Sequence, residues 1–334
     1  MYPDAFQDIP DNAPKVAYMT SGFPCIEYSP RGSNKGMYGK ETGWMFPKQV
    51  TIILNHKPIA IRLEQTDNCM YINNQTEIQL ITDALNDDYY LHHTVVETWR
   101  YGDVTNRKRW IMVGFLKETC KEHGRDFCFP HPSHDESNAP CGLHIAVPDA
   151  DVPIEYWRHQ HIDPYFVSYR EPMSGKLHLI AKTGPGMGWS GWPTAIYSWL
   201  TILNTQVTTN GGGRRPPLMW WFNEPLRHTR LTVPIETMHA ASVHESYYDD
   251  FVKHHCDDHS FLRKCVNNGI PVRTCVAIDS AVYAVLQSAG VPYDVNVGNA
   301  NPMQVCDATT RQKAYRGPLS AAVRGGVKCI HVDT

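Results

Sequence analysis

The sequence lacks any apolar run long enough to cross a bilayer. Its longest stretches, such as Val50–Leu54, fall far short of the roughly 20 residues a membrane helix needs. It also lacks a strong charge of either sign. With 31 Lys and Arg against 34 Asp and Glu, the net charge is −3. That excludes a polybasic, non-specific nucleic-acid binder, while leaving local basic clusters free to meet phosphate. The 10 cysteines show no small-scaffold spacing, so a reduced, intracellular setting is expected. The acidic, Pro-rich start does not read as a signal peptide. There is no internal repeat and no low-complexity tract. What is present is ordinary globular composition, 42% hydrophobic and 19% charged over 334 residues, enough for one large domain or two.

Residues 15–20 read as a short buried strand ended by Ser21-Gly22, and Arg31–Gly43 as a Gly-rich loop. Residues 49–54 fit a helix or a strand equally. Residues 58–63, 89–98 and 110–115 are strand candidates. Residues 77–85, with Ile78, Leu80, Ile81 and Leu85 at helical spacing, predict a helix. From Leu116 to about Val207 the strand–helix alternation gives way to a His-, Pro-, Asp- and aromatic-rich texture, as in an inserted, loop-rich lobe. Residues 234–241 and 271–289 again read as helices. An α/β sheet carrying a smaller lobe follows.

Three segments carry chemical side chains. In Ser21-Gly22-Phe23-Pro24-Cys25-Ile26-Glu27-Tyr28-Ser29 a thiol sits just past a strand, where open α/β sheets build their sites. Arg62-Leu63-Glu64 delivers an acid at a strand end. Thr105-Asn106-Arg107-Lys108-Arg109 sets two arginines at i and i+2 before an apolar strand, so at least one needs a buried acceptor. Taken singly, each reads as structure: a buried thiol, a salt-bridged acid, a solvated basic face. The His and Cys set Cys120, His123, Cys128, His131, His134, Cys141 and His144 fits no familiar zinc spacing and reads as non-ligating. The aromatic stretch Trp189–Trp199 reads as core.

Taken together and in order, the segments resemble the C5-cytosine-specific DNA methyltransferase family. Gly22-Phe23-Pro24-Cys25 with Tyr28-Ser29 is similar to the family's Pro-Cys motif IV, and Arg62-Leu63-Glu64 to motif VI. Thr105–Arg109 is similar to motif VIII. Arg230-Leu231-Thr232 with Glu236 resembles motif IX, and Asn267-Asn268-Gly269-Ile270-Pro271-Val272 resembles motif X. The resemblance implies a Rossmann-like, S-adenosylmethionine-dependent α/β methyltransferase fold with an inserted target-recognition lobe. It implies DNA (cytosine-5)-methyltransferase activity on a flipped base in double-stranded DNA, in the nucleus of a eukaryotic host. Cys25 would add to C6 of the base. Glu64 would stabilise the ring at N3 and Arg109 would contact O2, with Arg107 supporting the acid and the local fold. Asp8, Pro24 and Asn268 would meet the donor; Ser29, Arg214, Arg215 and Arg230 would meet DNA. No metal is expected.

The implied domains are 1–116 catalytic, 117–233 target recognition, 234–289 a return to the catalytic domain, and 290–334 a tail without an assigned role. The sequence departs from the family in places. Its Gly-rich donor loop does not precede Cys25, so the fold is expected to be N-terminally incomplete, with another segment or a partner chain supplying that loop. A circular permutation using Gly317–Asp333 is a further explanation. Ile26 stands for the usual Gln, Gln65-Thr66 for Asn-Val, and Thr105 for Gln. Two other functions stay open: the same chemistry on tRNA, against which Pro130 after Cys128-Phe129 counts, and a catalytically silent DNA-binding module.

Overall fold

The apolar segments flanking the Cys25 loop form the sheet and helices expected of them. The computed structural model describes residues 16–29, 32–158, 176, 179–182, 195–199, 201–204, 218–220, 229–255, 262, 266 and 269–292. In chain order the strands are β1 (Tyr18–Gly22), β2 (Ala60–Thr66), β3 (Tyr89–Glu97), β4 (Thr105–Asn106), β5 (Lys108–Leu116), β6 (Trp157–Arg158), β7 (Leu179–Lys182), β8 (Ala195–Ser198), β9 (Leu203–Asn204), β10 (Leu218–Trp220) and β11 (Thr229–Leu231). The longer helices are α1 (Met45–His56), α2 (Thr76–Leu85), α3 (Lys117–Arg125), α4 (Pro234–Ala240), α5 (Ser246–His255) and α6 (Val272–Ser288). Two compact units emerge. The first holds the described residues up to Glu97, Lys108–His131 and, from Ala277, the rest of α6; the second holds Thr98–Arg107 and the described residues of Pro132–Val276.

The first unit is a four-stranded mixed sheet ordered β1-β2-β5-β3. β1 runs parallel to β2 with Gly22 opposite Glu64. β5 is antiparallel to both β2 and β3, placing Thr66 opposite Arg109. β5 is buried from Arg109 onward because it is an inner strand, which explains its unbroken apolar run. β1 continues through Ser21 and Gly22, the residues expected to end it, because their pairing with Leu63 and Glu64 carries on.

Residues 49–54, open between helix and strand in the sequence, lie inside α1. Phe46 and Ile53 fall on one buried stripe of that helix, seven residues apart. The helix stops at Lys57, whose left-handed backbone (φ 44°) lets its N–H close on the Ile53 carbonyl at 2.8 Å. Ile78, Ile81 and Leu85 of α2 join Ile61, Leu63, Trp110 and Met112 of the sheet in the core.

Residues 117–131, expected in the inserted lobe, belong to the first unit. The physical reason is packing: Cys120 is fully buried, Phe127 stacks on Phe115 at 5.2 Å, and the His92 ring bonds the Gly124 carbonyl at 2.9 Å. The latter half of α6 is tied to the sheet by Asp279, which meets Arg62 Nε at 2.8 Å and accepts the Tyr18 hydroxyl.

The second unit has a five-stranded sheet ordered β6-β11-β10-β8-β7, and β4 pairs in parallel with β9. Trp199 is buried there with Val104, Ile145, Leu203 and Ala240, as core. Every residue of α4 is buried. No helix among the described residues is long and apolar enough to cross a membrane.

Candidate active site

Cys25 opens a 3-10 turn, Cys25–Glu27, immediately beyond β1. Pro24 precedes the turn with φ −55° and ψ 132°, the extended geometry that proline's ring favours. The turn is closed on the Cys25 carbonyl, which accepts the N–H groups of Tyr28 (3.0 Å) and Ser29 (2.7 Å). Phe23 and Tyr28 flank it as buried anchors and pack edge-to-face at 5.2 Å. Between these anchors Cys25 is exposed, its thiol in reach of a ligand.

Strand register brings the acid and one arginine to the same edge of the sheet. Glu64 lies opposite Gly22, and Arg109 enters from the antiparallel neighbour. Arg109 Nε meets Glu64 Oε1 at 2.7 Å, and Arg109 Nη1 donates to the Lys108 carbonyl at 2.6 Å. Both side chains are about nine-tenths buried, so each charge offsets the desolvation of the other. Among the described residues no donor meets the second oxygen, Oε2. A Cβ at Gly22 would stand 3.0 Å from it, so glycine keeps that oxygen's surroundings open. The edge thus presents a thiol, a carboxylate with a free acceptor and a guanidinium.

The other expected site residues fare differently. Ser29 is half-buried at the end of the Cys25 turn. Arg107 is buried and belongs to the second unit, where its carbonyl accepts the Thr98 N–H at 2.9 Å. Arg230, expected to touch DNA, is corrected: its side chain is 1% exposed and its guanidinium faces inward. It forms a two-pronged pair with Glu236 (3.0 and 2.7 Å), donates to the Val147 carbonyl at 3.3 Å and lies over the Trp199 ring. Glu236 also accepts the N–H groups of Val147 and Val233, both at 2.8 Å. Asp8, Asn268, Arg214 and Arg215 lie outside the described residues. Among the described residues no group of three or more His, Cys, Asp or Glu could hold a metal ion.

Residues the sequence did not single out complete the site's frame. Gln65 donates to the Phe23 carbonyl at 3.2 Å, and Asn68 donates to the Tyr28 carbonyl at 2.7 Å. The Cys25 turn is therefore held at both ends by the segment following Glu64. Glu27 and Glu77 are buried carboxylates that bind the Gly-rich loop. The only available signal was the glycine density of that loop, which does not say what it wraps.

The fold is the Rossmann-like methyltransferase fold. Solved structures with it include S. pombe Dnmt2 methyltransferase, at TM-score 0.51 and 11% identity over 81% of this chain and 78% of that one. Entamoeba histolytica methyltransferase EhMeth follows at 0.54 and 10%, over 81% and 77%. At such identities the likeness defines the fold alone.

Residues 4–156 match the model of the C-5 cytosine-specific DNA methylase family. Type II methyltransferase M.Bsp6I of Bacillus sp. (strain RFL6) is 31% identical over 128 residues, 38% of this chain and 38% of its own length. M.SsoII of Shigella sonnei is 31% identical over 127 residues, 38% of this chain and 32% of its own. M.HhaI of Haemophilus parahaemolyticus is 24% identical over half of each chain. The chain thus spans a third to a half of the length of these curated relatives.

Proposed function

We propose that this chain transfers a methyl group to C5 of a flipped cytosine in double-stranded DNA, with S-adenosylmethionine as donor. The observation that supports it best is that the exposed Cys25 directly follows β1, whose last residue Gly22 lies opposite Glu64, itself paired with Arg109. Of the residues expected at the donor, only Pro24 is described, and a proline offers no N–H to grip one.

The chain's own groups account for activating the base. Cytosine C5 is a poor nucleophile. A bond from Cys25 sulfur to C6 pushes the ring electrons toward N3 and leaves C5 enamine-like. A carboxyl that donates a proton to N3 stabilises that charge, and the Glu64 oxygen not held by Arg109 can carry that proton; Arg109 fixes the carboxyl and can donate to a carbonyl oxygen of the base. After C5 is alkylated, a base or water takes its proton as the sulfur–carbon bond breaks, releasing Cys25 as thiolate. The base must leave the stack for any of this. The recognition role falls to the part of 117–233 that lies in the second unit, with Arg214 and Arg215 as phosphate contacts and Ser29 beside the base.

Trapping on 5-fluorocytosine duplex DNA with donor present tests the reading. A covalent adduct that disappears in Cys25→Ser is expected. An adduct that persists in Cys25→Ser, or none with any donor concentration, overturns it. A tRNA competitor in the same assay decides the substrate.

A further inference from the structure

Beside the nucleophile lies a buried carboxylate that the proposed chemistry does not use. Glu27 is the last residue of the Cys25–Glu27 turn and is 2% exposed. It accepts the backbone N–H groups of Glu41 (3.0 Å) and Thr42 (3.3 Å) and the hydroxyl of Ser33. A Cβ at Gly39 would collide with this carboxylate, so the loop wraps it as closely as a backbone can. The hydrogen bond from Ser33, followed by those from Glu41 and Thr42, holds the Glu27 carboxyl below the usual range, with Lys35 adding a smaller pull. The loop is also bonded directly to the turn: the Ser33 N–H donates to the Ile26 carbonyl at 3.0 Å.

A second buried acid, Glu77, binds another part of the same loop. It accepts the Met37 N–H at 2.9 Å and the Asn73 amide at 2.7 Å. Glu77 sits in the first turn of α2, far in sequence from the thiol. Glu27 is two residues from it. The two anchors therefore differ in reach: Glu27 is itself part of the turn that carries Cys25, whereas Glu77 bears on that turn only from outside, through the loop and the Tyr28 ring.

We infer that Glu27 is a positioning residue, whose carboxylate locks the loop 32–43 to the turn presenting Cys25 and so sets the thiol's place. The inference rests on Cys25 being the nucleophile. A hydrogen-bonded carboxylate suits the task because three donors converge on one rigid, two-oxygen group. Gln keeps the length and one acceptor oxygen, which can take both backbone N–H groups while its NH₂ meets the Ser33 hydroxyl as acceptor. Ala removes all three bonds. Asp is a methylene short of reaching them.

The test compares Glu27→Ala, Glu27→Asp and Glu27→Gln in the whole chain. Glu27→Ala and Glu27→Asp should slow adduct formation on 5-fluorocytosine DNA at least tenfold, with KM for DNA changed less than threefold, and Glu27→Gln should stay within threefold of the native rate. Amide exchange should quicken at Glu41 and Thr42 and stay unchanged at Met37. The ratio of Cys25 to Cys128 alkylation by iodoacetamide, read by mass spectrometry without DNA, should change at least threefold. An unchanged ratio together with an unchanged adduct rate overturns the inference even if the amides exchange faster, since Glu27 would then be structural only. Should the native chain form no adduct, the cytosine reading fails by itself, and the alkylation ratio still decides whether Glu27 places the thiol. If Glu27→Ala does not fold, Glu27→Asp carries the comparison.

Discussion

The Glu64–Arg109 pair of the first unit and the Arg230–Glu236 pair of the second join the same side-chain types at the same 2.7 Å closest approach. Their surroundings differ. Glu236 is wholly buried and both its oxygens are engaged, by Arg230 and by two backbone N–H groups. Glu64 keeps about a tenth of its side chain exposed and, among the described residues, one oxygen without a donor, beside a glycine that leaves room for it. A saturated pair can only hold structure. An unsaturated pair can still accept a proton or a hydrogen bond from something that arrives. The difference between architecture and chemistry here lies in leftover hydrogen-bond capacity, more than in which residues are used.

The comparison breaks most easily at its buried side. Glu236→Ala leaves the Arg230 charge sealed without its counter-ion, so it should destabilise the second unit by about 3–5 kcal/mol. Urea unfolding measures this; a change below about 1 kcal/mol would mean that the pair is not structural.

Asp103 sharpens the same point with a carboxyl held by two hydroxyls, with the Arg273 charge acting on it. It is buried beneath the hydroxyls of Ser242 and Thr274, the latter at 2.6 Å, and desolvation raises its pKa from 3.8 to about 6. Because the folded value lies above the unfolded one, the folded state holds this proton more tightly. Its contribution is complete below about pH 4 and is lost as pH rises through about 6, a change of about 3 kcal/mol. Asp103→Asn cannot ionise and should gain on the native chain by up to that amount between pH 4 and pH 7. A pH-independent gap in thermal unfolding would contradict the assignment.

On the open side, Glu64→Gln keeps an acceptor for Arg109, so it should cost less stability than Glu236→Ala, about 1–3 kcal/mol, yet slow adduct formation about 100-fold, the scale of a lost acid–base group. If stability collapses instead, Glu64 belongs with Glu236. The smallest effect is expected at Gly22→Ala. Its methyl would press on Glu64 Oε2 from 3.0 Å and force a shift of a few tenths of an ångström. A severalfold fall in rate with little loss of stability is expected, and stopped-flow measurement of adduct formation reads it.

Much of the first unit could be read in the sequence. The run Trp110–Phe115 announced a strand, and Ile78, Ile81 and Leu85 a helical stripe, because burial imposes a period on the chain. Residues 49–54 resisted because Ile52, Ile53 and Leu54 are adjacent and fit either period; the packing of Phe46 and Ile53 decided for the helix. Arg230 was misread because its distant partner, the Val147 backbone, lies 83 residues away and leaves no local mark. Glu27 went unnoticed for a similar reason: an acid beside a cysteine looks like surface until the loop folds over it.

By itself the sequence determined which side chains could do chemistry and on which element ends they sit, since strand and helix periods are local properties of the chain. The fold alone decided that Glu64 and Arg109 meet with an oxygen to spare, that Arg230 is sealed, and that Glu27 grips the loop. Hydrogen-bond partners and exclusion from water belong to neighbourhoods, and those are assembled from segments far apart along the chain.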